Sequence, residues 1–94
     1  MSWSQLEEFQ GRSTDGKALV VRVLADESVT RQVLSCKDSE GVVKGIAAYT
    51  DSRHIPGVVP GAILRWANPR FHYFEDGSDG ARIEQQDLVN ITIE

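Results

Sequence analysis

The sequence predicts an all-β domain, a five-stranded barrel preceded by a short helix, and three observations carry this. Five runs rich in β-branched and other apolar residues follow one another at short intervals, separated by Gly, Asp and Pro turn signals. The third run carries a glycine in its interior, where strands bulge or bend. Little of the chain shows a helical period. At 94 residues it is long enough for one compact domain and too short for two. Residues 1–16 read as an N-terminal helix and turn, and 17–93 as the barrel.

In "MSWSQLEEFQ", Ser4 and Glu7 have the spacing of a capping box, and Leu6 with Phe9 places apolar side chains at i, i+3. This predicts a helix from Ser4 to Gln10, ended by Gly11, with Trp3 docking it on the barrel. "STDG" is a turn. "KALVVRVLAD" is the first strand, with Leu19, Val21 and Val23 on one face and Val20, Arg22 and Leu24 on the other; Arg22 turns that second face to solvent. "ESVTRQVLSCKD" is the second strand, with Leu34 and Cys36 opposite Val33 and Ser35. "DSEG", from Asp38 to Gly41, closes a hairpin, Asp supplying a side-chain acceptor and Gly the left-handed position. "VVKGIAAYTD" is the third strand, containing Gly45, and "SRHIPGVVPG" a connector with two breaks. "AILRWA" is the fourth strand, in which Trp66 alternates with Leu64 and so faces the core. "ARIEQQDLVNITI" is a long fifth strand, Val89, Ile91 and Ile93 alternating along it. Between the last two, "NPRFHYFEDGSDG" is a long hairpin in which Phe71 to Phe74 extend the strand before the turn.

Composition and charge remove several classes of function. No window holds the roughly 20 apolar residues of a membrane-spanning helix, and the acidic, amphipathic start is neither a signal nor a transit peptide. "NIT" at Asn90 to Thr92 matches a glycosylation sequon, which without a secretory signal is read as strand chemistry. The single cysteine, Cys36, rules out an internal disulfide or a Cys-x-x-Cys metal site and favours a reducing compartment. His54 and His72 have no Cys or carboxylate at ligand spacing, so zinc is not expected. "EDGSDG" lacks the closing glutamate of a calcium loop and reads as a hairpin turn. No glycine-rich phosphate cradle and no nucleophile with a base beside it occurs, so neither an enzyme nor a cofactor is expected. The net charge of −4 is unevenly laid out. Between Asp15 and Phe74 there are eight basic residues and six acidic ones, while the other eight acids lie at the two ends. Phosphate attraction depends on the local field, within about 10 Å at 0.1 M salt, so this balance allows a nucleic-acid surface without indicating one.

The order "LSCKDSEGVVKGIAAYTD … VVPGAILRWANPRF … GARIEQQDLVNITI" resembles the OB-fold domains of eukaryotic and archaeal single-stranded DNA-binding proteins. The nearest types are replication protein A, the SOSS single-strand-binding subunit and the OB domains of homologous-recombination factors. Asp38 and Gly41 fill the Asp-x-x-Gly element that ends strand two. Tyr49 stands where the family often has Trp, Pro60-Gly61 opens strand four, and Asn68 ends it. The resemblance covers roughly residues 17 to 93. It departs from the family in a short, proline-bearing connector between strands three and four and in the lack of a C-terminal helix, an ending that reads as a domain of a longer protein or a minimal subunit.

What the resemblance implies is a non-catalytic module that holds single-stranded nucleic acid, DNA or RNA with DNA favoured, in replication, recombination, repair or telomere maintenance, and hence a nuclear place. Such a fold binds across strands two and three, flanked by the loops between strands one and two and four and five. The chemistry needs flat rings for bases and cations for phosphates, at about 1–3 kcal/mol per stacked base. The candidates are Arg22, Arg31, Lys37 and Lys44 on the sheet, with Arg65, Arg70, Phe71 and Tyr73 from strand four and its loop. Phe71 and Tyr73 share one side of their strand, His72 and Phe74 the other; the first pair is favoured because it follows Arg70. The rival reading is a protein-interaction OB domain scaffolding a larger DNA-processing complex, supported by the acidic balance. A third is an OB domain that reads a small ligand or a chain end within a larger enzyme.

Overall fold

The computed structural model describes residues 1–9, 16–27, 32–51 and 55–94. It is mostly β: a helix α1 (Trp3–Glu7) and strands β1 (Ala18–Asp26), β2 (Val33–Lys37), β3 (Val43–Tyr49), β4 (Ile63–Ala67), β5 (Phe71–Tyr73), β6 (Asp79–Glu84) and β7 (Ile91–Ile93). A 3-10 helix, Gln85–Asn90, stands between β6 and β7. All seven strands belong to one sheet, in the order β5-β6-β3-β2-β1-β4-β7. Every pairing is antiparallel except β3 with β6. The expected five strands are therefore seven, and β5 and β7 are the two ends of the hydrogen-bonded sheet.

Alternation places the core. Leu19, Val21 and Val23 of β1, Leu34 and Cys36 of β2, Ile46 of β3, Leu64 and Trp66 of β4 and Ile83 of β6 are all fully buried in one cluster. Val20, Arg22 and Leu24 face outwards as the alternation predicts. The irregularity expected at Gly45 is elsewhere: the β1–β2 register slips between Val23 and Ala25, while Gly45 keeps regular register with Ser35 and Gly80. Gly45 has another reason to be small. A Cβ there would meet the Phe74 ring at 3.6 Å.

Two ends differ from expectation. The helix starts earlier, because Ser2 and Gln5, not Ser4 and Glu7, make the capping box: the Ser2 N–H donates to Gln5 Oε1 (2.8 Å) and the Gln5 N–H to Ser2 Oγ (3.3 Å). Gly11 lies outside the described residues. The long fifth strand is broken into β6, the 3-10 helix and β7. Asp87 accepts from the Glu84 N–H (2.8 Å) and from Arg70, which turns the chain out of the ladder and leaves Val89 exposed. Asn68, in the left-handed region at φ 56°, makes the corner between β4 and β5, its side-chain oxygen accepting from Gly16 N–H (2.9 Å).

The "DSEG" turn forms as its residues require. Gly41 sits at φ 84°, and Asp38 Oδ1 accepts from the N–H groups of Glu40 and Val42, both at 2.9 Å. The other carboxylate oxygen of Asp38 reaches the Trp3 N–H (2.9 Å), and Trp3 Nε1 donates to the Cys36 carbonyl (3.1 Å), so α1 is tied to the β2–β3 hairpin.

Candidate functional site

Val33 and Ser35 of β2, with Val43, Gly45 and Ala47 of β3, line a groove of about 630 Å³ on the sheet. Phe74, Asp76, Ser78 and Asp79 of the β5–β6 hairpin form one side, Glu27 and Tyr49 also lining it. The groove is possible because β3 and β6 meet at two glycines. A Cβ on Gly80 would stand 2.1 Å from the Gly45 carbonyl oxygen and 2.9 Å from the Phe74 ring. The missing side chains let that ring lie down over the β3–β6 seam.

The charges lining the groove are mostly negative. Glu27 accepts from the Ser35 hydroxyl (3.0 Å). Asp76 accepts from the hydroxyl (2.6 Å) and N–H (2.9 Å) of Ser78, bonds that hold its carboxyl below the ordinary carboxylate range. Lys44 is half-buried and ion-paired with Asp79. The Tyr49 ring is covered by the Arg82 guanidinium, 3.7 Å from its centroid, and Arg82 also pairs with Glu84 (2.6 Å). Among the described lining residues there are thus three carboxylates and one ammonium, and that ammonium is already engaged.

The residues nominated from sequence divide into three places. Arg22, Lys37 and Arg65 come together on the outward face of β1, β2 and β4: Arg22 is directly opposite Lys37, and Arg65 opposite Val20, two residues from Arg22. All three are exposed, and Arg22 Nη1 donates to the Gly61 carbonyl (3.1 Å). Lys44 stands apart in the groove. Arg70, Phe71 and Tyr73 are at β5, where they do other things. Arg70 forms a two-pronged pair with the buried Asp87 (Nε–Oδ2 2.9 Å, Nη2–Oδ1 3.3 Å), which raises its pKa and pins the 3-10 helix to β5. Phe71 packs against the core, and Tyr73, 55% exposed, meets its edge at 4.9 Å. Of the rings from Phe71 to Phe74, the one in the groove is Phe74, with His72 edge-on at 5.0 Å. Arg31 lies outside the described residues.

Of the groove residues that the sequence reading did not nominate, Glu27, Asp76 and Asp79 carry its negative charge and Phe74 its apolar wall. One signal was available: the acids of "EDGSDG" directly follow an alternating "FHYF", so whichever ring pair faces the groove brings carboxylates with it. Cys36 is buried, which pushes its thiol pKa up to about 12 and makes it a packing residue. Among the described residues, no group of three or more His, Cys, Asp or Glu is placed to hold a metal ion. No family model, curated protein or solved structure matches this chain.

Proposed function

We propose that the sheet is an OB-type barrel and that its β2–β3 face docks a segment of another polypeptide. The barrel reading takes β4 and β5 as one strand broken at the Asn68 corner, pairing β1 with its first half and β6 with its second. The Arg82 N–H donates to the Arg70 carbonyl (3.1 Å), which carries the β5–β6 ladder up to the corner. The meander β1–β2–β3, with β3 parallel to β6, fits the same topology.

The observation that carries the functional reading is the carboxylate majority in the groove. A phosphodiester strand laid across β2 and β3 would meet Glu27, Asp76 and a Lys44–Asp79 pair whose charges cancel. Binding to nucleic acid is driven by cations that displace counterions, and this groove offers the opposite field. A polypeptide can supply the complementary charge. Membership of a DNA-processing complex, in the nucleus, comes from the OB resemblance alone. An oligothymidylate titrated into isotope-labelled protein at about 50 mM salt tests the reading. The amides of Ser35, Gly45 and Ala47 are expected to stay unmoved; salt-sensitive shifts at those amides would return the groove to nucleic acid.

A second reading is favoured by the Arg22–Lys37–Arg65 face. Like charges directly opposite one another on neighbouring strands are destabilising, yet Arg22 and Lys37 are so placed, with exposed Val20 and Leu24 beside them. Such a face suits a single strand followed along its phosphates. In the same titration it would show as shifts on β1 and β4 that disappear in Arg22→Glu/Lys37→Glu.

A further inference from the structure

Resting on the polypeptide-docking reading of the groove, we infer that its occupant is an extended basic segment of a partner protein, with an apolar side chain on the floor and a lysine or arginine at each rim. The floor is built of small groups, Ser35, Gly45 and Ala47, and the Phe74 ring gives it an apolar wall. At about 630 Å³ the groove has room for an aliphatic side chain together with the backbone on either side of it. The rims lie on opposite sides. In the sheet order β6-β3-β2-β1, Glu27 follows β1 at one side, and Asp76 and Asp79 belong to the hairpin leading into β6 at the other.

The separation of the rims is within reach of an extended chain with long cationic side chains. The Glu27 carboxylate reaches over to Ser35 of β2, 3.0 Å from its hydroxyl, which is two interstrand steps, about 10 Å, from β6. In an extended peptide, residues i−2, i and i+2 point to one side, and i−2 to i+2 spans about 13 Å. A segment crossing the strands as cation-x-apolar-x-cation can set its central side chain between Ser35 and Gly45 while the flexible stems of its two cations bend inward to Glu27 and Asp76. The Phe74 face adds a second attraction for the cation on the hairpin side. A second copy of this chain does not supply such a segment from its Arg22–Lys37–Arg65 face, because those cations stand on three adjacent strands of a sheet and cannot enter a groove as one extended chain.

Three synthetic peptides test this, with cores Lys-Gly-Val-Gly-Lys, Glu-Gly-Val-Gly-Glu and Ser-Gly-Val-Gly-Ser, each titrated into isotope-labelled protein beside the oligothymidylate. The Lys peptide is expected to shift the Ser35, Gly45 and Ala47 amides, and its affinity to fall about tenfold in Glu27→Gln/Asp76→Asn. Both replacements keep an acceptor for Ser35 and Ser78, and the amide spectrum of the variant reports its fold directly. A Lys peptide that leaves those amides unmoved, or binds the double variant equally well, overturns the inference. If the Glu or Ser peptide shifts the groove as strongly, the basic segment is wrong and polypeptide docking stands. If only the oligothymidylate does so, both fall.

Discussion

Gly80 shows how much can turn on one absent methyl. Its backbone faces the Gly45 carbonyl across the parallel β3–β6 pair, and a Cβ would stand 2.1 Å from that oxygen, inside any van der Waals contact. The neighbour is backbone in the middle of a sheet, so it cannot step aside as a flexible side chain would. Gly80→Ala is expected to destabilise the domain by about 3 kcal/mol or more, through forced separation of β3 and β6. Gly45→Ala offers the control. Its Cβ would meet the Phe74 ring at 3.6 Å, an ordinary contact, and alanine costs less backbone entropy than glycine. Its stability should stay within about 1 kcal/mol of the parent. Urea unfolding of the two variants checks the pair, and equal losses would mean that the seam does not need Gly80. Neither glycine could be assigned this role from sequence. A strand glycine announces a bulge or a close approach without saying which, and here the approach comes from a strand 35 residues away.

Among the elements, α1 is only five residues long and could not persist by itself, since isolated helices of that length do not pay back their nucleation. Asp38 holds it. One carboxylate accepts from Trp3 on α1 and from Glu40 and Val42 in the β2–β3 turn, so helix and hairpin share an anchor. Burial pulls the Asp38 pKa up, but the N–H groups of Trp3, Val42, Glu40 and Gly41 together outweigh it and hold the carboxyl below its ordinary value. A carboxyl depressed in the folded state contributes stability that is complete above its unfolded pKa, about 3.9, and is lost as pH falls through the folded value. Asp38→Ala is expected to cost about 2–3 kcal/mol at neutral pH by leaving those donors unmet. Asp38→Asn should cost less and flatten the acid limb of the stability curve; an unchanged acid limb would show that Asp38 is not the group titrating there. The turn itself was legible, because Asp and Gly at that spacing act locally. The strands were legible too, since Leu19, Val21 and Val23 or Leu34 and Cys36 reveal their faces by alternation. What stayed hidden depends on contacts distant in sequence. The interruption at Gln85–Asn90 needs Arg70 to meet Asp87, and the choice of Phe74 over Tyr73 for the groove depends on which side of β5 meets the core. Alternation separates those two faces without orienting them.

At the scale of the molecule, charge is segregated more sharply than the net −4 implies. Arg22, Lys37 and Arg65 occupy the β1, β2 and β4 part of the outward face, and Glu27, Asp76 and Asp79 line the groove beside it, Lys37 pairing with the groove residue Val43. The fold that carries these two patches side by side has a single core. Its radius of gyration is 11.9 Å, against about 12 Å expected for a compact chain of this length. Trp3 of α1 and Trp66 of β4 are 1% and 0% exposed in the same cluster, although they sit on elements joined to the sheet by different means. Trp66 is held by strand pairing with Leu19 and Ile91, and Trp3 by the Asp38 and Cys36 hydrogen bonds. If the core is one cooperative unit, both indoles must meet water in the step that melts the sheet. Tryptophan fluorescence and far-ultraviolet circular dichroism are therefore expected to give superimposable urea transitions. Trp66→Phe, which leaves Trp3 as the reporter, should show its fluorescence midpoint coinciding with its own dichroism midpoint, whatever stability the substitution removes. A red shift of Trp3 at lower urea than the loss of sheet signal would mean that α1 opens as a separate, weaker unit. The β2–β3 hairpin would then keep its shape without the helix, and the anchoring assigned to Asp38 would be wrong.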